Sequence, residues 1–200
     1  MLSLRRLLSA LTFAVASSAA MAGPVYTSSA AFLTQVAPGS YTETFTGLDI
    51  DSSPSFSGGG FSYTASAPQD IFFNGSFLST SQIGEDLTIT FTSGNVTAFG
   101  GNFFATNISD AFQSRSLTLS LSDGTVETFL ASALGNSYRG FTSNVAITSL
   151  VISGTTGVSL YAGLDNFTVG AAVTPVPEPG TFALMALGLV GLRFVRRRAA

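Results

Sequence analysis

Strict alternation of apolar and polar residues is the feature that most constrains how this chain can fold. Residues 87–92 read Leu-Thr-Ile-Thr-Phe-Thr, and residues 117–121 repeat the pattern as Leu-Thr-Leu-Ser-Leu. Successive side chains of a strand point to opposite faces, so this period predicts strands with one buried face. Asp123-Gly124 then leads into a second alternating segment at 126–130, and an Asp-Gly turn between two such segments predicts a β-hairpin.

The rest of the middle of the chain follows the same pattern of short strands between Gly, Ser and Asn turns. Further strands are predicted at residues 41–46, 60–66, 96–105, 147–153 and 164–169. Only residues 29–36 indicate a helix, with a serine at its cap. This pattern predicts an all-β domain over residues 23–170, an antiparallel β-sandwich of the jelly-roll kind.

The composition restricts the chemistry open to this domain. The chain has no cysteine, histidine or tryptophan, while its 18 phenylalanines supply ample core material. Without cysteine and histidine there is no thiol nucleophile, no serine–histidine pair and almost no transition-metal site. Of the usual catalytic groups, only carboxylates remain. No cofactor is expected apart from a structural calcium ion.

Charge is distributed unevenly along the chain. All eight basic residues are arginines, and six of them lie near the two ends. Between residues 23 and 175, ten acids face only Arg115 and Arg139, a net charge of −8. Nucleic-acid binding depends on neutralising phosphates with basic side chains, so this domain is not expected to bind nucleic acid.

Residues 1–22 have the layout of a secretory signal peptide. Two arginines at positions 5 and 6 precede an apolar run at 7–15. Ala20 and Ala22 then occupy the positions that signal peptidase reads before cleaving ahead of Gly23. The alternative, a membrane anchor, is disfavoured because the apolar run is too short to cross about 30 Å of hydrocarbon.

The last thirty residues change character. Residues 171–180 form a proline-rich linker, and an apolar run over 181–192 precedes a basic end that includes Arg196, Arg197 and Arg198. The pattern predicts a short membrane-spanning helix over 181–200, with the arginines held on the cytoplasmic side. A buried core helix is the alternative, and the terminal arginines argue against it.

The tail resembles the PEP-CTERM sorting signal of Gram-negative bacteria, which is also known as an ice-binding protein C-terminal domain. The resemblance covers about 25 residues: the motif Val176, Pro177, Glu178 and Pro179, the apolar run with Leu184 and residues 187–192, and Arg196 to Arg198. It implies that an exosortase, a membrane-embedded peptidase, processes the protein after transient anchoring in the inner membrane. The product would then reach the cell surface or the exopolysaccharide matrix.

A second, shorter resemblance concerns residues 161–169, which look like the closing strand of exported β-sandwich modules, some of them carbohydrate-binding. In such modules a structural calcium can lie where the first and last strands pair, which implies Glu43 and Asp165 as ligands. Asp49 and Asp51 are a second candidate pair. The alternative is that these aspartates form turns and that Glu43 faces solvent.

Other functions depend on weaker patterns. A glycoside hydrolase needs two carboxylates across a cleft, and Glu43, Glu85, Asp86 and Glu127 are the candidates, although no spacing marks them. A sugar-binding platform would use Tyr63, Tyr138 or Tyr161 in place of tryptophan. A threonine ladder at 88, 90 and 92 has a formally ice-binding arrangement, but the solvent face of a sheet accounts for it more simply.

Three function classes therefore remain open. The leading hypothesis is a non-catalytic structural or adhesive protein of the surface or matrix, with exopolysaccharide as a candidate partner. A carbohydrate-binding module is the alternative, and a glycoside hydrolase is a remote one. A concave face that gathers tyrosines and carboxylates would favour sugar binding, whereas a flat sandwich without a groove would favour the structural role.

Overall fold

The computed structural model describes residues 23–49 and 53–173, which form two antiparallel β-sheets packed face to face. The first sheet contains β1 (Val25–Tyr26), β2 (Tyr41–Glu43), β5 (Ile71–Phe73), β6 (Leu78–Thr80), β8 (Ala98–Thr106), β9 (Phe112–Gln113), β12 (Tyr138–Thr142) and β14 (Tyr161–Gly170). The second contains β3 (Ser55–Gly58), β4 (Phe61–Ser66), β7 (Leu87–Phe91), β10 (Arg115–Leu121), β11 (Val126–Ala131) and β13 (Ser149–Ser153). The helical elements are α1 (Ser29–Leu33) and a short 3-10 helix at Leu134–Asn136.

The strand order brings distant parts of the chain together. The first sheet runs β1-β12-β8-β14-β6-β5, with β2 also paired to β14 and β9 to β8. The second sheet runs β11-β10-β13-β7-β4-β3. The long strands β8 and β14 lie side by side at the centre of the first sheet, so their outward side chains define its outer face.

The core between the sheets is built largely from aromatic rings. Phe167 is fully buried and lies 5.1 Å from Tyr63 and 5.9 Å from Phe99, measured between ring centroids. Phe91 and Phe103 contact the same ring at 6.2 and 6.4 Å. Fully burying such a side chain stabilises the fold by about 1.5–3 kcal/mol. These rings allow a domain without disulfides to hold together.

One half of the outer face of the first sheet is covered by the N-terminal segment. Ser28 caps α1 by accepting a hydrogen bond from the Ala31 amide at 3.5 Å. Phe32, with none of its surface exposed, lies between Tyr26 and Tyr138 at 6.1 and 6.2 Å. We call this region the covered half; its packed residues are Tyr26, Phe32, Val36, Ala98, Tyr138 and Ala172.

The all-β prediction is confirmed, and each predicted strand is present with adjusted ends. The predicted helix over 29–36 is shorter, because Val36 instead forms a β-bridge with Ala172. The strand predicted at 41–46 ends at Glu43, since Phe45 turns the chain with a φ of 53°. Six further strands were not predicted; they are β1, β3, β5, β6, β9 and β12, most of them short.

Several predictions fall outside the described residues. They concern the signal peptide with Ala20 and Ala22, the sorting motif at 176–179, the helix over 181–200 and the arginines at 196–198. Gly23, the first residue after the predicted cleavage site, is the first described residue. Within residues 23–49 and 53–173, no helix is long and apolar enough to cross a membrane.

Candidate functional site

The other half of the same outer face is hollow, and we call it the open cleft. It consists of two neighbouring cavities of about 400 and 170 Å³, and Asp110 lines both of them. The larger cavity is lined mainly by Phe77, Asn102, Phe104, Thr106, Phe112, Asp165 and Asn166. The smaller one is lined by Phe72, Ser79, Thr80, Asn107 and Tyr161, among others. A concave face with aromatic and polar side chains is the usual form of a ligand site.

The aromatic lining of the open cleft follows from consecutive phenylalanines on strands. Adjacent residues of a strand point to opposite faces, so Phe103-Phe104 on β8 places one ring on each side of the sheet. Phe103 enters the core, and Phe104 faces outward beneath the cleft. The pair Phe72-Phe73 on β5 divides in the same way. Two such pairs could have indicated an aromatic outer face from the sequence, but no such prediction was made.

A glycine lets the Phe104 ring lie close to the sheet. Gly163 on β14 is directly opposite Phe104 in the register, and a Cβ atom there would come within 2.7 Å of the Phe104 ring. Phe104 is only 4% exposed, and its ring meets that of Phe77 edge-on at 5.2 Å. This packing holds the two rings that form the apolar side of the larger cavity.

A β-bulge presents the polar side of the open cleft. The β8–β14 register shifts between Asp165 and Thr168, and Asn166 within the shift has a φ of 50°. Asp165 accepts the Asn166 backbone amide at 2.6 Å through Oδ1 and the Asn166 side-chain amide at 2.8 Å through Oδ2. The same amide donates to Asn102 Oδ1 at 3.4 Å. Bulges commonly re-aim a side chain in this way beside functional sites.

The electrostatics of the open cleft centre on Asp165. Burial raises the pKa of its carboxyl group, and the hydrogen bond from the Asn166 backbone amide opposes that rise. Asp110, on the turn between β8 and β9, is exposed and has a φ of 58°. Both cavities are thus bordered by carboxylates, and no basic residue lines either of them.

Thr106 is the one lining residue with an unsatisfied polar atom that is buried. It is 1% exposed, and among the described residues its hydroxyl has no hydrogen-bond partner. Thr106 lies opposite Tyr161 on β14 and opposite Phe112 on β9, so it sits on the same face as both rings. A buried hydroxyl without a partner is unfavourable by about 1–3 kcal/mol, so a polar group bound beside it would relieve that cost.

The two predicted calcium ligands lie on neighbouring strands but on opposite faces. Glu43 is opposite Phe167, whose ring enters the core, whereas Asp165 faces the open cleft. The Glu43 carboxylate accepts the amides of Thr44 and Phe45 at 3.0 and 2.9 Å and also the hydroxyl of Tyr41. The structure therefore does not bring the two carboxylates together, and calcium binding stays a prediction.

The second predicted calcium pair is only half described, because Asp51 lies outside the described residues and Asp49 inside them. Across residues 23–49 and 53–173, no group of three or more His, Cys, Asp or Glu side chains is arranged to hold a metal ion.

The carboxylates that the sequence offered for glycoside hydrolysis lie apart from the open cleft. Glu127 pairs with Arg139 at 3.4 Å, and Glu85 accepts the backbone amide of Gln69 at 3.4 Å. Asp86 has a buried Oδ1 without a partner among the described residues, and burial raises its pKa. None of them lines either cavity.

Of the three tyrosines proposed as a sugar platform, one is in the open cleft. Tyr161 lines the smaller cavity, whereas Tyr63 is fully buried in the core and Tyr138 lies under α1. Thr88 and Thr90 of the threonine ladder lie on β7, on the outer face of the second sheet, where Thr90 is opposite Ser149 and Thr64; Thr92 follows the end of the strand. This agrees with the simpler interpretation of that ladder as a solvent face.

Several solved structures share a partial likeness with this chain. The catalytic domain of Agl-KA has a TM-score of 0.37 and 11% identity, over 74% of this chain and 30% of its own. An exo-β-1,3-galactanase from Phanerochaete chrysosporium, solved with galactose, has a TM-score of 0.32 and 22% identity, over 65% of this chain and 28% of its own. A GH26-CBM35 β-(1,4)-mannanase from Podospora anserina has a TM-score of 0.31 and 12% identity, over 78% of this chain and 29% of its own.

This chain thus spans less than a third of those proteins, and at such TM-scores the likeness carries no argument about function. No curated protein matches the sequence. The tail gives a definite result, because residues 175–198 match the family described as the PEP-CTERM protein-sorting motif. The tail resemblance is thereby confirmed, and this chain carries a PEP-CTERM protein-sorting motif at its C-terminal end.

Proposed function

We propose that this is an exported surface or exopolysaccharide-matrix protein whose β-sandwich is a non-catalytic adhesive domain. The observation that carries the proposal is the sorting motif at residues 175–198, which supports processing of the chain by an exosortase. A signal peptide at 1–22, cleaved between Ala22 and Gly23 by signal peptidase, supports the same route.

The proposed route has two membrane steps. Residues 181–200 hold the chain transiently in the inner membrane, with Arg196 to Arg198 on the cytoplasmic side. The prolines at 177 and 179 keep the motif extended, so the exosortase can reach it just outside the bilayer. Processing then releases the domain to the surface or matrix. We also propose that the sandwich is of the jelly-roll kind.

The arrangement of carboxylates supports a non-catalytic role. Both oxygens of Asp165 accept hydrogen bonds from the amide groups of Asn166, so this carboxyl helps to hold the bulge. Asp110, the other carboxylate of the open cleft, is exposed on a turn. A glycosidase needs one carboxyl that stays protonated and a second that stays charged across the bond to be cleaved. The site is better suited to binding than to hydrolysis.

The route is tested by changing the tail in the exporting cell. Deleting residues 176–200 should release the domain without membrane retention or processing. Replacing Arg196, Arg197 and Arg198 with serine should impair anchoring, because the charges that orient the helix are lost. Fractionation and mass spectrometry of the C-terminus measure both effects. Recovery of the protein at its final location with residues 176–200 intact would contradict the proposal.

A further inference from the structure

We infer that the open cleft binds a neutral, hydroxyl-rich saccharide, such as a segment of an uncharged matrix polysaccharide. The inference rests on the proposed function, because delivery outside the cell is what would bring the domain to such a ligand. It assigns the larger cavity as the main subsite and the smaller cavity, which Asp110 also lines, as a second subsite.

The size and form of the open cleft fit a small ligand. The larger cavity, at about 400 Å³, falls within the range of about 300–1,000 Å³ that is usual for ligand sites. Phe77 and Phe112 are half-buried, and each presents part of its ring to this cavity. Tyr161 does the same in the smaller cavity. Such rings offer flat apolar surfaces against which the C–H face of a sugar ring can pack.

The unsatisfied hydroxyl of Thr106 points independently to a polar ligand. Burying a polar group without a partner is unfavourable, because the lost hydrogen bonds to water are not replaced. Six side chains of the described residues bury such an atom, and Thr106 is the one among them that lines either cavity. Thr106 lines the larger cavity, and a ligand hydroxyl that reaches its buried Oγ1 could both donate to it and accept from it. Ligand binding would thus supply the hydrogen bonds that the described chain does not.

The bulge supplies the complementary polar groups. The Asn166 side-chain amide is held between Asp165 and Asn102, so its position is fixed before any ligand arrives. Asn102 is itself held by donating to the Ser137 hydroxyl at 3.0 Å. Sugar hydroxyls act as donors and acceptors at once, and this mixed set of amide and carboxylate oxygens matches them.

The negative charge at the open cleft disfavours an acidic ligand. Asp110 and Asp165 border the open cleft, and the two arginines of the described chain are engaged elsewhere. Arg115 donates to the Gly154 carbonyl at 2.9 Å, and Arg139 pairs with Glu127 and lies 3.7 Å over the Phe129 ring. A uronate-rich polymer would therefore meet repulsion without compensation.

The binding test uses the purified full chain on an array of neutral, acidic and cationic probes. The neutral set is cellotetraose, mannotetraose, maltotetraose and chitotetraose together with longer neutral polysaccharides; polygalacturonate and a lysine-rich peptide represent the charged classes. At least one neutral glycan should bind, with an affinity that does not change with salt. Retention of only the lysine-rich peptide, in a salt-sensitive manner, would overturn the assignment, as would failure of every neutral glycan to bind.

Two substitutions test the place of binding by calorimetry. Thr106→Val preserves the shape of the side chain and removes the hydroxyl, and it should weaken binding about three- to tenfold, the loss of one hydrogen bond. Asn166→Gly tolerates the positive φ and removes the amide, with a loss of similar size. Unchanged affinity in both variants would overturn the assignment of this cleft.

A matched control separates binding from folding. Thr125 lies in the turn between β10 and β11 of the second sheet. It also has a buried hydroxyl without a partner among the described residues, but it lines neither cavity. Thr125→Val should leave the affinity unchanged. Release of reducing ends from the bound glycan would contradict the non-catalytic role while leaving the binding site intact. Export without glycan binding would remove this inference alone, and binding without export would remove only the proposed route.

Discussion

The covered half and the open cleft lie on the same face of the first sheet and are built in the same way, but only the covered half is filled by the chain itself. In each, an aromatic ring lies on a glycine: Phe32 on Gly140 in the covered half, and Phe104 on Gly163 in the open cleft. A Cβ atom would come within 2.6 Å of the ring at Gly140 and 2.7 Å at Gly163. In the covered half, α1 then closes the surface, whereas nothing in the described chain closes the cleft.

The covered half is closed by the chain's own packing, whereas the open cleft keeps space for a ligand. The N-terminal segment is tied down on the covered half by backbone bonds to the C-terminal segment, Ala37 to Ala171 at 2.8 Å and Val173 to Gln35 at 2.9 Å. The apolar side chains of this segment pack against one another and against the sheet. The open cleft has rings of the same kind beside a fixed amide, and it keeps two cavities, so it is suited to a polar ligand. A buried hydroxyl without a partner does not distinguish the halves, because Tyr138 has one in the covered half.

The largest effect is expected from removing the ring that fills the covered half. Phe32→Ala leaves a cavity between Tyr26 and Tyr138 and should destabilise the domain by about 3–5 kcal/mol. Urea unfolding of the full chain, followed by circular dichroism, measures the change. Glycan affinity of the folded fraction should stay the same. A loss below about 1 kcal/mol, well under the cost of such a cavity, would mean that α1 is not an integral part of the fold.

The two glycines give the sharpest matched comparison. Gly140→Ala pushes its new methyl group into the enclosed Phe32 ring and should destabilise the domain by about 1–3 kcal/mol. Gly163→Ala displaces the Phe104 ring from its packing against Phe77, but that ring borders the larger cavity and can shift toward it, so the strain is smaller. In both variants, reduced chain entropy in the unfolded state offsets part of the strain. The unfolding free energy of Gly163→Ala should change by less than about 1 kcal/mol, whereas glycan binding weakens. Equal destabilisation by both substitutions would show that the two halves are equally closed.

The smallest effect is a titration confined to the open cleft. Because burial raises the pKa of Asp165 in the folded state, its charged form lowers stability above that pKa, and the loss is relieved as the pH falls through it. The backbone amide signal of Asn166 should follow this titration in NMR spectra, with a midpoint above that of an exposed aspartate. The Phe32 amide should not move. Asp165→Asn should abolish the shift at Asn166.

Much of the fold could be predicted because alternation is a local property. The pattern at 87–92 gave the strand Leu87–Phe91, and the Asp123-Gly124 turn gave the hairpin of β10 and β11. The short strands β5 and β9 were missed, since two or three residues are too few to show a period. They are defined by their partners in the sheet, and no local signal marks them.

The open cleft was harder to predict than the fold. Asp165 was singled out for calcium, but its amide partners Asn166 and Asn102 were not identified, because a bulge depends on register between two strands. Each of Tyr138 and Tyr161 begins a strand, and the local sequence does not show which one is exposed. In the structure α1 covers Tyr138, whereas Tyr161 lines the smaller cavity. Which phenylalanine faces a cavity likewise follows from tertiary packing, not from residue type.

Binding in the open cleft, and not on the covered half, is tested most directly by NMR of the labelled full chain titrated with the neutral glycan that binds most tightly. The backbone amide signals of Asn102, Thr106 and Asn166 should shift in a saturable way, while those of residues 29–33 and 138–142 stay in place. Shifts confined to the covered half or to the outer face of the second sheet would contradict glycan binding in the open cleft.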